Sequence, residues 1–316
     1  MCKKMLVPLD GSELAEIVFP YATEFAGRMG MDVVPIIVSS QSANAFIPMQ
    51  KAYIEKTEKA LQKQVNKVRE SLKPAPEPVK VKGEMTVGYA ADEILKYAEE
   101  NDIDLILMAT HGHSGPKRWK IGSVASKIMS ASRIPVLLVR ADVPEEATHV
   151  KWPIETILVP LDGSEMAESV LPHVKTIGRQ QGIKPVEVVL LRVCEPPTVP
   201  SYYGPELSGV PLDWGKYVEQ EMVRDKERAR EYLDELVKKF KDKGIVVRCD
   251  VIQGKPDDEI VEYANKENFS LIVMATHGRS GLSRLVYGSV AANLINGVSS
   301  PILMIKPRDD KQKDKK

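Results

Sequence analysis

Short apolar runs of strand length alternate along the chain with longer stretches whose apolar residues recur every three or four positions. In the first half the runs predict strands at Lys4–Leu9, Val33–Val38, Val79–Met85, Leu105–Ala109 and Val136–Arg140, with helices in the gaps. The second half predicts them at Thr156–Leu161, Glu187–Val193, Val246–Ile252, Leu271–Ala275 and Ile302–Lys306. The longest helical stretch, about Tyr217 to Lys241, sets Met222, Ala229, Leu233, Leu236 and Phe240 on one stripe, a core-facing side. Continuously apolar strands with helical crossovers predict parallel sheets covered on both faces, an α/β doubly wound architecture. Pro35 removes a ladder donor from a buried strand and predicts a bulge there. Pro20 and Pro172 interrupt the first helix of each half and predict a kink or a delayed start.

The pattern is a duplication. VPLDGSE stands at Val7–Glu13 and again at Val159–Glu165, an offset of 152, while MATHG recurs at Met108 and Met274, an offset of 166. The difference of 14 puts an insertion in the middle of the second half. Asp104–Arg140 and Ser270–Lys306 align without a gap at 16 identities in 37 positions, too many for shared composition. Two domains follow, 1–143 and 154–308. An acidic, Pro-containing linker at 144–153 joins them, and a charged tail at 309–316 has nothing to bury and predicts disorder.

Charge excludes more than it indicates. Lys plus Arg is 44 and Asp plus Glu is 44, so no surplus positive charge draws the chain to nucleic acid or anionic lipid. No apolar run approaches a membrane span. Cys2, Cys194 and Cys249 are odd in number and widely spaced, which indicates neither a disulfide scaffold nor a zinc site. MLVPLD after only two lysines does not read as a signal peptide, and a cytoplasmic protein is expected.

Candidate chemistry lies in paired glycine turns. Ala109-Thr-His-Gly112 is followed after nine residues by Gly122-Ser123, and Ala275-Thr-His-Gly278 by Gly288-Ser289. Glycine lets an anion approach the backbone, and a helix starting at Ser123 or Ser289 would aim free amides at it. The plain alternative is that these glycines only end a strand and start a helix.

The string Gly/Ala-x2-Gly-x9-Gly-Ser together with VPLDGSE, each present twice, resembles the universal stress protein family in its tandem form, over Lys3 to Pro307. The resemblance implies two Rossmann-like, adenine nucleotide alpha hydrolase-like domains, each a five-stranded parallel sheet of order 3-2-1-4-5. The crevice then falls where the strand order reverses. Ala109 and Ala275 depart from the family's first glycine, implying slightly less room near the ribose. Carried over by position, Asp10 and Asp162 would face the adenosine end, beside Pro8, Leu9, Pro160 and Leu161. Val38 and Val193 would present backbone to the adenine. Met108, Ala109, His111, Gly112, Gly122, Ser123, Val124 and Ala125 would shape and hold ribose and phosphates. Met274, Ala275, His277, Gly278, Gly288, Ser289, Val290 and Ala291 would do so in the second half. Asp10 also has a plain reading as a turn residue before Gly11, and both roles can hold together.

Sharper stories fail. His111 and His113 form an HxH pair, but the aligned residues are His277 and Arg279, and no dedicated metal site is expected. The Gly112–Pro116 run lacks the last glycine of a nucleophile elbow, and no Walker A lysine follows either turn. Lys117, Arg118, Lys120 and Arg284 are candidate phosphate neighbours, with solvated surface as the plain alternative. The expectation is a stress-response or regulatory protein holding ATP or AMP, with Mg admissible, without fast turnover. A nucleotide-hydrolysing or nucleotidyl-transferring enzyme and a ligand-free scaffold remain as alternatives. The last strand of each half would be a sheet edge, so mutual pairing into an intramolecular pseudo-dimer is expected, with a homodimer also admissible.

Overall fold

The computed structural model describes residues 3–40, 44–112, 121–141, 154–180, 185–197, 214–240, 244–277 and 287–307. In the first half lie β1 (Lys4–Leu9), α1 (Glu13–Glu16), α2 (Phe19–Met29), β2 (Asp32–Ser39), α3 (Ile47–Ser71), β3 (Glu84–Val87), α4 (Ala90–Glu100), β4 (Leu105–Ala109), α5 (Ser123–Ala131) and β5 (Val136–Val139). In the second lie β6 (Thr156–Pro160), α6 (Glu165–Glu168), α7 (Leu171–Gly178), β7 (Val186–Cys194), α8 (Trp214–Phe240), β8 (Ile245–Gln253), α9 (Pro256–Glu267), β9 (Leu271–Ala275), α10 (Ser289–Gly297) and β10 (Ile302–Ile305). All ten strands form one sheet of order β3-β2-β1-β4-β5-β10-β9-β6-β7-β8, so each half has the expected 3-2-1-4-5 order.

Pairing is parallel inside each half and antiparallel at the seam, where Ile302 faces Leu138, Leu303 faces Leu137 and Met304 faces Val136. The expected pairing of the last two strands is therefore present. Side chains lock it reciprocally. Arg140 Nη1 donates to the carbonyls of Asn296 (3.0 Å) and Val298 (3.1 Å), and Lys306 Nζ donates to the Ser130 carbonyl (3.0 Å). One apolar layer runs under both halves, holding Val7, Phe25 and Leu61 with Val159, Leu233 and Phe240. The other runs over both, holding Leu6, Ile94 and Ile128 with Leu158, Ile260 and Leu294.

Two expectations need correction, and one residue explains both. β2 carries no bulge at Pro35, because the ladder with β1 runs one to one from Lys4 opposite Asp32 to Leu9 opposite Ile37. Val33 both donates to Lys80 and accepts from Lys82, so by strand alternation the donor missing from Pro35 faces the third strand, not β1. The third strand breaks there. Val81 forms only an isolated bridge, and regular pairing starts at Glu84, not Val79. On the outer side the Val81 and Gly83 amides donate to Gln62 Oε1 (2.9 Å) and Glu58 Oε2 (2.8 Å) of α3.

Pro20 and Pro172 delay helices without kinking them. A four-residue helix ends, and a second begins with the proline in its first turn, where no N–H is required. The α8 stripe is shorter than expected: Ala229, Leu233, Leu236 and Phe240 are buried, but Met222 only partly. At Met222 the helix has reached the end of β8, whose last residue, Gln253, donates to the Met222 carbonyl (3.4 Å). The linker at 144–153 and the tail at 309–316 lie outside the described residues.

Leu303→Ala at the seam should cost about 2–5 kcal/mol, read as a lower urea midpoint. Leu138→Lys should cost more, because it buries an unpaired charge. Small-angle scattering should show a compact wild type and a looser Leu138→Lys chain; no change in either measurement would show that the seam does not hold the halves together.

Candidate functional site

The turn after β1 is built by its aspartate. Asp10 Oδ1 accepts from the Ser12 amide (3.0 Å) and hydroxyl (2.6 Å), and Asp162 Oδ1 does the same for Ser164 (2.9 and 2.6 Å). Each serine then caps the next helix, accepting from Ala15 N at 3.2 Å or Ala167 N at 3.1 Å. Gly11 and Gly163 supply the left-handed residue that the turn needs, at φ +80° and +83°. The turn role expected for Asp10 is thus present in both copies.

The glycine turns after β4 and β9 are organised by a buried threonine. The Thr110 carbonyl accepts from Gly122 N (2.8 Å) and the Thr276 carbonyl from Gly288 N (3.0 Å), tying the two turns of each half together. The threonine hydroxyls lie 3.1 and 3.0 Å from Nδ1 of His111 and His277, which fixes both rings. Gly122 and Gly288 stand at the N-caps of α5 and α10, where no side chain caps the helix. The first-turn amides are thereby left as donors. Ala125 and Ala291 are buried, so they offer backbone only.

In the second half these parts enclose one cavity of about 850 Å³ at the end of β6, β7 and β9. Pro160, Leu161, Asp162, Val193, Met274, Ala275, His277, Gly288, Ser289, Val290 and Ala291 all line it, so the residues singled out in sequence converge on one space. Gly278 lies outside the described residues, as do His113, Lys117, Arg118, Lys120 and Arg284. Val193 pairs with Ile252 of β8, and alternation along β7 turns its own main-chain groups toward β6, beyond the strand's end at Pro160.

In the first half Pro8, Leu9 and Asp10 close β1, Met108 and Ala109 close β4, and Val38 lies beyond the last β1 partner. Ser123 is exposed and Val124 partly buried at the start of α5. A Cβ on Gly112 would lie 2.1 Å from Asp10 Oδ2, so only glycine lets this carboxylate and backbone meet.

Sequence reading missed the far wall of the cavity, made by Arg192, Asp225, Arg228, Tyr232 and Asp257. Arg192 Nη1 donates to the Leu161 carbonyl (3.2 Å), and Ser289 Oγ donates to Asp257 Oδ1 (3.2 Å). Burial pushes the Tyr232 hydroxyl well above the usual phenol range; Glu168 and Asp162 add to the shift and Arg192 opposes it. The corresponding Tyr53 is pushed up by burial and by donating to Glu16 Oε1 (2.7 Å). The repeated Glu-Tyr pair was the available signal for this wall.

The model of the Universal stress protein family matches residues 1–140 and 153–306. A universal stress protein of Methanocaldococcus jannaschii is 31% identical over 157 residues, covering 48% of this chain and 95% of that protein. One of Mycobacterium bovis is 20% identical over 322 residues, covering 96% of each. The crystal structure of a universal stress protein from Archaeoglobus fulgidus superposes with a TM-score of 0.64 at 19% identity, over 97% of each chain, which shows a shared fold.

Gly112→Ala should destabilise the first half by about 1–3 kcal/mol, because Asp10 must leave the Ser12 amide and hydroxyl. Adding Asp10→Ala removes the clash, so a double-mutant cycle of urea midpoints should show the two costs to be less than additive. Strict additivity would mean that the two residues do not meet.

Proposed function

The chain belongs to the universal stress protein family, and from that premise we propose that it is a stress-response protein that holds an adenine nucleotide, ATP or AMP, without fast turnover. The observation that carries the proposal is the second-half cavity, about 850 Å³, within the roughly 300–1,000 Å³ typical of small-ligand sites. It joins an uncapped helix N-terminus to a carboxylate and a strand end. Gly288 and the amides of Ser289, Val290 and Ala291 would take the phosphates, the helix dipole favouring their charge. Asp162 would accept from ribose hydroxyls while keeping its turn bonds to Ser164 through Oδ1. The main chain of Val193 would meet the base edge. The first half, with Asp10, Val38 and Gly122–Ala125, would offer the same set. In this reading 1–143 and 154–308 are two binding units, and Mg would come with the triphosphate. A cytoplasmic setting fits Cys194 and Cys249, which are buried as thiols and not joined in a disulfide.

Slow turnover follows from what faces the phosphates. Backbone amides and hydroxyls stabilise a bound anion but do not take a proton from water, and the Asp257 carboxylate beside them already accepts from Ser289 Oγ (3.2 Å). His277, which also lines the cavity, has its Nδ1 engaged with the Thr276 hydroxyl.

Calorimetry on nucleotide-stripped protein should give micromolar binding of ATP, ADP or AMP; no heat with any of them overturns the proposal. Gly288→Val should weaken binding at least tenfold. Among the described residues the nearest atom to a Cβ at Gly288 is the Thr276 carbonyl oxygen at 3.7 Å, so the fold should tolerate the change and the loss would report the phosphate path. Released phosphate should stay below about one turnover per second, under the usual enzyme range. Faster turnover would make the protein an enzyme.

A further inference from the structure

The two crevices are built on one plan but have different walls. The ladders align β1 with β6 and β2 with β7, which sets Ser39 opposite Cys194 in the comparison. The Glu16–Tyr53 and Glu168–Tyr232 pairs align α3 with α8, and the buried series Ile54, Thr57, Leu61 and Leu233, Leu236, Phe240 agrees. By this alignment the cavity-lining Ala229 and Cys194 of the second half correspond to Gln50 and Ser39 of the first.

That exchange changes the chemistry. Cys194 donates its thiol to the Asp225 carbonyl (3.6 Å) and Ala229 has no polar atom, so at these two positions the second-half wall offers a ligand no oxygen acceptor, its polar groups being Asp225, Arg228 and Tyr232 instead. In the first half Ser39 is 0% exposed, and its Oγ and the Oε1 of Gln50 are both buried with no hydrogen-bond partner. An orphaned acceptor of this kind is costly in the empty state and is relieved by any ligand that brings a donor.

The mouth changes in the same direction. Phe46 and Met49 at the start of α3 are 56% and 63% exposed, and Tyr89, ahead of α4, is 81% exposed. Their counterparts in the second half are Asp225, Arg228 and Lys255, all charged. At these aligned positions the rim is apolar in the first half and charged in the second, and exposed apolar groups gathered in this way mark a contact surface. Together the rim and the waiting acceptor suit a flat heteroaromatic body with an N–H on its edge.

We propose that the first half is a base-reading site, in which Phe46, Met49 and Tyr89 cover the faces of a nucleobase and Gln50, backed by Ser39, accepts from an amino group on its edge. The second half, lacking these groups, holds the sugar and phosphates and meets the base edge only through the Val193 main chain, without a Gln or Ser side chain to accept from its amino group. The inference rests on the nucleotide reading above and assigns a specificity to one of its two sites.

The test compares AMP with N6,N6-dimethyl-AMP, which keeps the ring and phosphate but has no amino hydrogens. Calorimetry on the full chain should give two classes of site for AMP, with dimethylation weakening one class by about tenfold or more and leaving the other unchanged. Gln50→Ala should abolish that difference while retaining the second class, and Ala229→Gln with Cys194→Ser should introduce the difference into the second half. Gln50→Glu, similar in shape, should keep an acceptor and retain discrimination, which a merely structural role would not require. Two equivalent sites for AMP that are indifferent to dimethylation would overturn the inference while leaving the nucleotide reading intact. No AMP binding at all would overturn the nucleotide reading itself. If Tyr89→Ser and Phe46→Ala instead dissociate a homodimer in sedimentation without touching nucleotide affinity, the rim is a protein interface and the inference is wrong.

Discussion

Everything else in the structure depends on three residue pairs at the seam, Ile302 with Leu138, Leu303 with Leu137 and Met304 with Val136. A parallel five-stranded sheet whose last strand is wholly apolar leaves an edge that cannot be left in water. Here each half covers the edge of the other. The two buried layers then run uninterrupted from one half into the next, and Arg140 and Lys306 reach across to opposite helix ends. Because one chain carries both edges, the pairing is intramolecular and does not weaken on dilution.

With the sheet fixed, each crevice follows from where strand order reverses, between β1 and β4 and between β6 and β9. The local devices are economical. One threonine carbonyl ties two glycine turns together, and one aspartate oxygen shapes a turn whose serine caps a helix. These devices are repeated almost atom for atom in both halves, whereas the wall formed by the long helix is not. The two halves share the backbone parts of the turns and differ in the side chains of the wall that faces them.

Strand order and the convergence of Asp162, Val193, Gly288 and Ser289 were expected only through the family resemblance, which rests on the short repeated motifs VPLDGSE and Ala-x2-Gly-x9-Gly-Ser. What was not legible required knowing which distant segments are neighbours. Pro35 is an example: the sequence shows a missing donor but not which side of the strand it faces, and the ladder resolves the matter by breaking β3 instead of bending β2. Arg192, Tyr232 and Asp257 escaped for the same reason, since they come from β7, α8 and α9, three elements that only the folded sheet brings to one crevice. Met222 fitted the helical period but lies where the sheet has run out of strand to pack against.

The antiparallel sense of the β5–β10 ladder carries a consequence for geometry at long range. Ligand crevices in such sheets form at the carboxyl ends of the strands, and reversing direction at the seam sends those ends to opposite margins of the one sheet. The two crevices therefore look away from each other, and a small molecule seated in one cannot reach the other. Any influence of one occupant on the next has to be carried mechanically, through β4, β5, β10 and β9, four adjacent strands with buried side chains on both faces. The molecule is in this sense two-ended, with the carboxyl ends of its two sets of parallel strands at opposite margins of one sheet.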